Sequence, residues 1–115
     1  MNVATGERYA GIILNKNGTL SHHLILLPQQ PDGRLNWDEA MAWAEKAGGT
    51  LPTRQEQHIL FANCKDAFEP AWYWSCEQYA GYAADAWGQG FDDGGQTTGD
   101  KGCKGRVRAV RRVYA

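Results

Sequence analysis

The chain has 115 residues, 43% apolar and 22% charged, with a formal net charge of −1. This is one domain large enough for a real core, not a disordered chain, and its charge makes no general case for nucleic acid or an anionic membrane as partner. The first residues, MNVATGERYAG, lack the basic-then-apolar order of an export signal, and no apolar run reaches spanning length, so a cytoplasmic or virion-associated protein without a signal peptide is expected.

Arg8 to Leu14 and Thr19 to Leu27 are apolar, β-branched-containing runs around Asn15-Lys16-Asn17-Gly18, the composition of a hairpin. His22 and His23 are adjacent on the second run, so they face opposite ways and cannot easily ligate one metal together; they read as ordinary strand histidines. Gln29 to Leu35, with Pro31-Asp32-Gly33, is a turn. Asn36 then caps a helix, with Glu39 completing a capping box and Trp37, Ala40, Met41, Ala44 and Ala47 as its buried stripe. Gly48-Gly49 stops it. Thr53 with Glu56 repeats the cap, and Ile59, Leu60, Phe61 and Cys64 supply the apolar side of a second helix. Both helices read as scaffold.

From residue 64 onward Leu, Ile, Met and Asn are absent, and residues 74–106 hold eight of the fourteen glycines. Trp72, Tyr73 and Trp74 open an aromatic strand. In residues 86–92, AWGQGFD, the alternation of a strand points Trp87, Gln89 and Phe91 one way and Gly88, Gly90 and Asp92 the other. One face is buried through two large rings; the other is bare backbone with one carboxylate. Glycine at alternate strand positions gives up packing and β-propensity, a cost that needs a reason other than folding. Asp93-Gly94 makes a turn, and Gly95 to Gly105 continues as a polar ribbon or loop. Arg106 to Val113 forms the last strand, with a bulge near Val110. Its arginines at 106, 108, 111 and 112 form a solvated or ion-paired stripe, with Asp85, Asp92, Asp93 and Asp100 as candidate partners.

Chemistry finds little support. Cys64, Cys76 and Cys103 are an odd set without CxxC spacing, which reads as three free thiols; a Cys76–Cys103 bridge would require the loops to approach. Ser75 and the cysteines have no general base at a recognisable spacing. The carboxylates at 92, 93 and 100 do not follow the EF-hand order, and no phosphate-binding glycine motif opens a helix. No enzyme activity, metal or cofactor is therefore expected. Tyr79 and Tyr82, set among Gly, Thr and Asp, have instead the composition of adaptable binding loops.

Three segments carry a family resemblance: Tyr73-Trp74-Ser75, the stretch Ala86-Trp87-Gly88-Gln89-Gly90-Phe91-Asp92-Asp93-Gly94-Gly95-Gln96, and Arg106-Val107-Arg108-Ala109-Val110-Arg111. With the helix–Leu-Pro-Thr–helix segment from Trp37 to Phe61, they cover most of the chain. The sequence resembles the C-type-lectin-like variable proteins of phages and bacteria, related to the Lcl C-terminal-like domain and to phage tropism determinants, which diversity-generating retroelements mutate. The resemblance implies an α+β, C-type-lectin-like fold. Two helices would pack on a small twisted antiparallel sheet, with a long irregular C-terminal strand-loop region. It divides a single domain into scaffold 1–75, variable ligand-binding region 76–105 and closing strand 106–113.

In such proteins the variable residues come from codons whose adenines are randomised and whose third base is a pyrimidine. Placed on this chain, the ligand-binding positions would be Cys76, Tyr79, Gly81, Tyr82, Asp85, Gly88, Gly90, Asp92, Asp93, Gly95, Thr97, Thr98, Gly99, Asp100, Gly102, Cys103 and Gly105. Every one is an amino acid that such a codon can encode. The resemblance does not extend to calcium-dependent sugar binding, because Glu69-Pro70-Ala71 departs from the lectin Glu-Pro-Asn motif at the asparagine. More remotely the chain resembles the formylglycine-generating enzymes, but it is much shorter and has no identifiable catalytic cysteine pair.

The function expected is non-enzymatic display of a binding face toward a protein ligand or host surface receptor, with a homo-oligomer compatible with the sequence. Alternatives are an intracellular regulator or inhibitor on the same fold, and a carbohydrate-binding module. The display reading requires the variable positions to be mostly exposed and contiguous, with Trp74, Trp87 and Phe91 buried.

Overall fold

The computed structural model describes residues 1–115. Strand β1 (Arg8–Leu14) turns through Asn15–Gly18 into β2 (Leu20–Leu26). Gly18 takes the left-handed conformation at φ +85°, which supplies the tight turn the Asn-Gly pair forecast. Helices α1 (Trp37–Lys46) and α2 (Arg54–Cys64) follow, then β3 (Trp72–Gln78), β4 (Asp85–Gly90), β5 (Gln96–Asp100) and β6 (Val110–Tyr114). The molecule is α+β, but the strands make two three-stranded antiparallel sheets, ordered β1-β2-β6 and β3-β4-β5, where the sequence reading had one.

Both helices begin as their sequences dictate. Asn36 and Thr53 each accept from the amide of the third helical residue, and Glu39 and Glu56 reach back to the cap amides. In α1, Trp37, Ala40 and Ala44 are buried, whereas Met41 is among the exposed large apolar residues, so the apolar stripe is narrower than expected. The buried side of α2 is more polar than expected: Glu56 and Gln57 join Leu60 and Cys64 inside, while Ile59 and Phe61 are half-buried.

Two apolar clusters form the core, and β3 feeds both. One gathers Ile13, Leu24, Leu26, Leu60, Tyr73 and Phe91. The other gathers Trp37, Ala40, Leu51, Trp74, Ala86 and Val107. Because adjacent strand residues face opposite ways, Tyr73 and Trp74 bury into different clusters, and the second sheet is covered on both faces.

The closing segment is irregular before it becomes a strand. Residues 105–110 make isolated bridges, Leu35 with Gly105, Tyr73 with Arg106 and Thr50 with Val110, and regular pairing with β2 begins only at Val110. Three of the four arginines here find partners, but not the aspartates proposed for them, and Arg106 forms no salt bridge. Arg111 binds Glu7 at 2.7 Å and Arg112 binds Glu56 at 2.7 Å, while Arg108 donates to the carbonyls of Leu27 and Ala67. Chain order brought the aspartates close only in sequence.

Glu56 is the buried hub that ties α2 to the first sheet. Its carboxylate receives both Arg112 Nε and Nη2 at 2.7 Å and lies 2.7 Å from His22 Nε2. Burial alone would push this carboxyl up; Arg112, the Thr53 amide and His22 outweigh it and hold it below the ordinary range. The Arg111 guanidinium, with the Ala4 amide, holds Glu7 down further, at about 2.

Candidate functional site

The second sheet, with its loops and the segment after β5, carries the candidate residues, and its two faces are built differently. On the α2 side Gln57 Nε2 donates to Tyr73 O, Gln89 Nε2 to Gln57 O, and Gln96 Nε2 to Gln89 Oε1, at 2.9–3.1 Å. Ser75 Oγ donates to Trp87 O across β3 and β4. These bonds satisfy most of the buried amide groups on this face, leaving Gln57 Oε1 without a partner.

On the other side Gly88, Gly99 and Gly105 are seats for indoles, whereas Gly90 lies against Asp92. Trp74 is opposite Gly88 and Trp72 is opposite Gly90 in the β3–β4 register. A Cβ placed on Gly88 would lie 2.1 Å from Cζ2 of Trp72. One on Gly105 would lie 3.0 Å from the rings of both Trp72 and Trp74, and one on Gly99 would lie 3.3 Å from Trp72. The two rings pack edge to face at 4.5 Å. Trp74 Nε1 donates to Leu35 O and Trp72 Nε1 to Thr97 Oγ1. An aromatic side chain that covers a cross-strand glycine restores the packing the glycine forfeits.

This corrects the bare-face reading. Gly88 and Gly105 are buried, so neither can present itself to a ligand, and Gly99 sits half-buried at the edge of the Trp72 ring. Gly88 is nevertheless covered by a half-buried surface tryptophan, Gly90 is half-buried, and Asp92 is exposed. Trp74 and Phe91 are buried as expected, but Trp87 is half-buried. The Arg54 guanidinium lies 3.5 Å from its ring centre and Tyr79 meets it edge-on at 5.5 Å. α2 thus contributes Arg54 to this surface, although the helix had read as pure scaffold.

The other candidates divide by place. At the β3–β4 end, Tyr79 and Tyr82 are exposed, 37% and 60%, with Gly81 beneath the Tyr79 ring. Asp85 pairs with Asp100 across β4 and β5, and Lys101 N bonds Ala84 O, so Gly102 and Cys103 come to the same end, both exposed. Asp92, Asp93 and Gly95 lie at the opposite end, in the β4–β5 turn. The six residues of β4 separate the two ends by about 20 Å at ~3.3 Å per residue. Thr97 and Thr98 on the edge strand β5 run between them, Thr97 on the Trp72 side of the sheet and Thr98 on the Trp87 side. The positions therefore form a strip, not one compact patch.

Three of the aspartates are spent on local turns. Asp93 N bonds Asp92 Oδ1 at 2.9 Å, Gly95 N bonds Asp93 Oδ1 at 2.8 Å, and Gly102 N bonds Asp100 Oδ1 at 2.8 Å. Cys76 departs from the strip altogether. It is half-buried beside a cavity of about 520 Å³ with His22, Glu56, Arg112 and Tyr114, and burial pushes its thiol up, away from nucleophilic use. All three cysteines are free: Cys64 buried, Cys76 half-buried and Cys103 exposed.

No three His, Cys, Asp or Glu side chains are placed to hold a metal, and no helix is long and apolar enough to cross a membrane. What the sequence reading missed is the Trp72 seat and its surroundings. The alternating glycines were its signal, since a strand that forfeits side chains on one face leaves room for large ones opposite. Compared with protein-family models and with curated proteins, the chain has no match.

Proposed function

We propose that this protein is a non-enzymatic binding protein of the C-type-lectin-like variable type, and that its exposed strip contacts a macromolecular target, most simply another protein. The observation that carries the reading is the pair Tyr79 and Tyr82 on the β3–β4 loop. Both rings are solvent-exposed, and small or polar exposed residues surround them on a loop hydrogen-bonded at both ends. Tyrosine gives large amphipathic contact area at low entropy cost, and a fixed loop keeps that cost low on binding.

The strip that fits this role is Tyr79, Gly81, Tyr82, Asp85, Thr97, Thr98, Asp100, Gly102 and Cys103, with Asp92, Asp93 and Gly95 at its far end. The variable role is withdrawn from Gly88 and Gly105, and from Cys76. A photo-crosslinking amino acid at position 82, with one at Lys16 as control, tests the proposal in extract from the source cells or virions. A discrete protein adduct specific to position 82 supports it. Identical adducts from both positions, or none from position 82, overturn it.

A further inference from the structure

We infer that the hollow beside Trp72 is a carboxylate-binding pocket that receives an acidic side chain of the protein target. Its volume is about 210 Å³, and it is lined by Arg34, Ala71, Trp72, Lys104, Gly105 and Arg106. Its distinguishing feature is charge without compensation. The salt bridges of the molecule use Arg8, His22, Arg111 and Arg112, and arginine side-chain hydrogen bonds are confined to Arg8, Arg54, Arg108, Arg111 and Arg112. Arg34 and Arg106 are thus the two arginines with no partner in the chain, and both border this one hollow together with Lys104.

Backbone pairing holds them there. Leu35 and Gly105 exchange two hydrogen bonds, 2.8 and 2.9 Å, which fixes Arg34 alongside Arg106. Arg106 N donates to Trp72 O and Arg106 O accepts from Trp74 N, both at 3.1 Å, which fixes it to the β3 strand. These bonds need only main-chain atoms, so nothing in folding calls for cations at 34, 104 and 106. Three like charges gathered at one mouth repel one another and raise the local potential for an anion. Asp32 lines the adjoining hollow that Arg106 also borders, yet forms no salt bridge with it.

The indole gives the pocket an apolar wall on which the methylenes of an acidic side chain can lie, while guanidinium groups take the two carboxylate oxygens. Trp72 also joins the pocket to the binding strip, through its hydrogen bond to Thr97. Placing the carboxylate on a protein rests on the target-binding reading above; the charge and shape of the pocket do not.

The test is an NMR titration of ¹⁵N-labelled protein, following the Trp72 indole N–H and the Gly105 amide. The probes are acetyl-Gly-Glu-Gly-amide, its neutral counterpart acetyl-Gly-Gln-Gly-amide, and inorganic phosphate. The glutamate peptide should shift both signals saturably, with the glutamine peptide at least tenfold weaker and phosphate weaker than glutamate. The combined variant Arg34→Gln, Lys104→Gln, Arg106→Gln replaces exposed side chains only, and should keep its spectrum while losing the response. Equal response to glutamate and glutamine, tighter binding of phosphate, or an undiminished response in the variant would overturn the inference. Loss of the position-82 adducts with the titration intact would remove the display reading alone; a failed titration with the adducts intact would remove the pocket alone.

Discussion

The two faces of the β3-β4-β5 sheet solve the same problem with opposite materials. Toward α2, the glutamines at 57, 89 and 96 close a chain of amide hydrogen bonds, so that face is specified by donors and acceptors. Toward α1, Trp72 and Trp74 lie over glycines, so that face is specified by shape. A polar network tolerates little change in chemistry, and a glycine seat tolerates little change in volume. Between them they fix the sheet through Gln96 and Thr97 of its edge strand, while the exposed rings of Tyr79 and Tyr82 stand outside both arrangements.

That comparison can be broken at its strongest point first. Trp74→Ala should remove about 3–5 kcal/mol of stability, since a fully buried indole and its bond to Leu35 O are lost together. Urea unfolding followed by far-UV circular dichroism measures it; a loss below ~1 kcal/mol would mean the shape-fitted face is dispensable. Gly88→Val should cost about 1–3 kcal/mol by overpacking against Trp72. The same substitution in a Trp72→Ala background should cost less than half as much, and a double-mutant cycle without coupling would refute the seat.

Acid sharpens the other side, through the hub that anchors α2. Glu56 and Glu7 are both held below the ordinary carboxyl value of 4.5, so their stabilisation is complete above that pH. It is lost as pH falls through their lowered folded-state values, toward about 2 for Glu7. The melting temperature should therefore fall between pH 4.5 and 2, and the fall should be shallower in Arg112→Gln, which starts from a lower melting temperature. The smallest effect belongs to the strip. Tyr82→Ala should change stability by less than about 0.5 kcal/mol, because the ring is mostly in water. A larger loss would make Tyr82 part of the framework.

Much of this was legible along the chain. The hairpin with Gly18, the two capping boxes and the aromatic strands depend on residues a few positions apart, so local chemistry specifies them. The exposure of Tyr79 and Tyr82 agrees with the binding-loop reading of residues 76–105. Less legible were Met41, exposed because α1 covers only a narrow strip, and Trp87, which Arg54 and Tyr79 shield without burying. The arginine partners were missed because Glu7 and Glu56 are 104 and 56 residues from the arginines they bind.

By itself the sequence determined the two helices and where they start, the first hairpin and the aromatic strands, and that residues 76–105 are compositionally unlike the rest. It did not separate β5 from its loop or find that the closing strand begins only at Val110. Periodicity, caps and turn residues act over one or two turns of chain, so they survive in a linear reading. Only the tertiary structure decided what the glycines are for. Whether a missing side chain opens a surface or makes room for an indole depends on which strand lies alongside. The same holds for Arg34, Lys104 and Arg106, which become one pocket only when Leu35 pairs with Gly105.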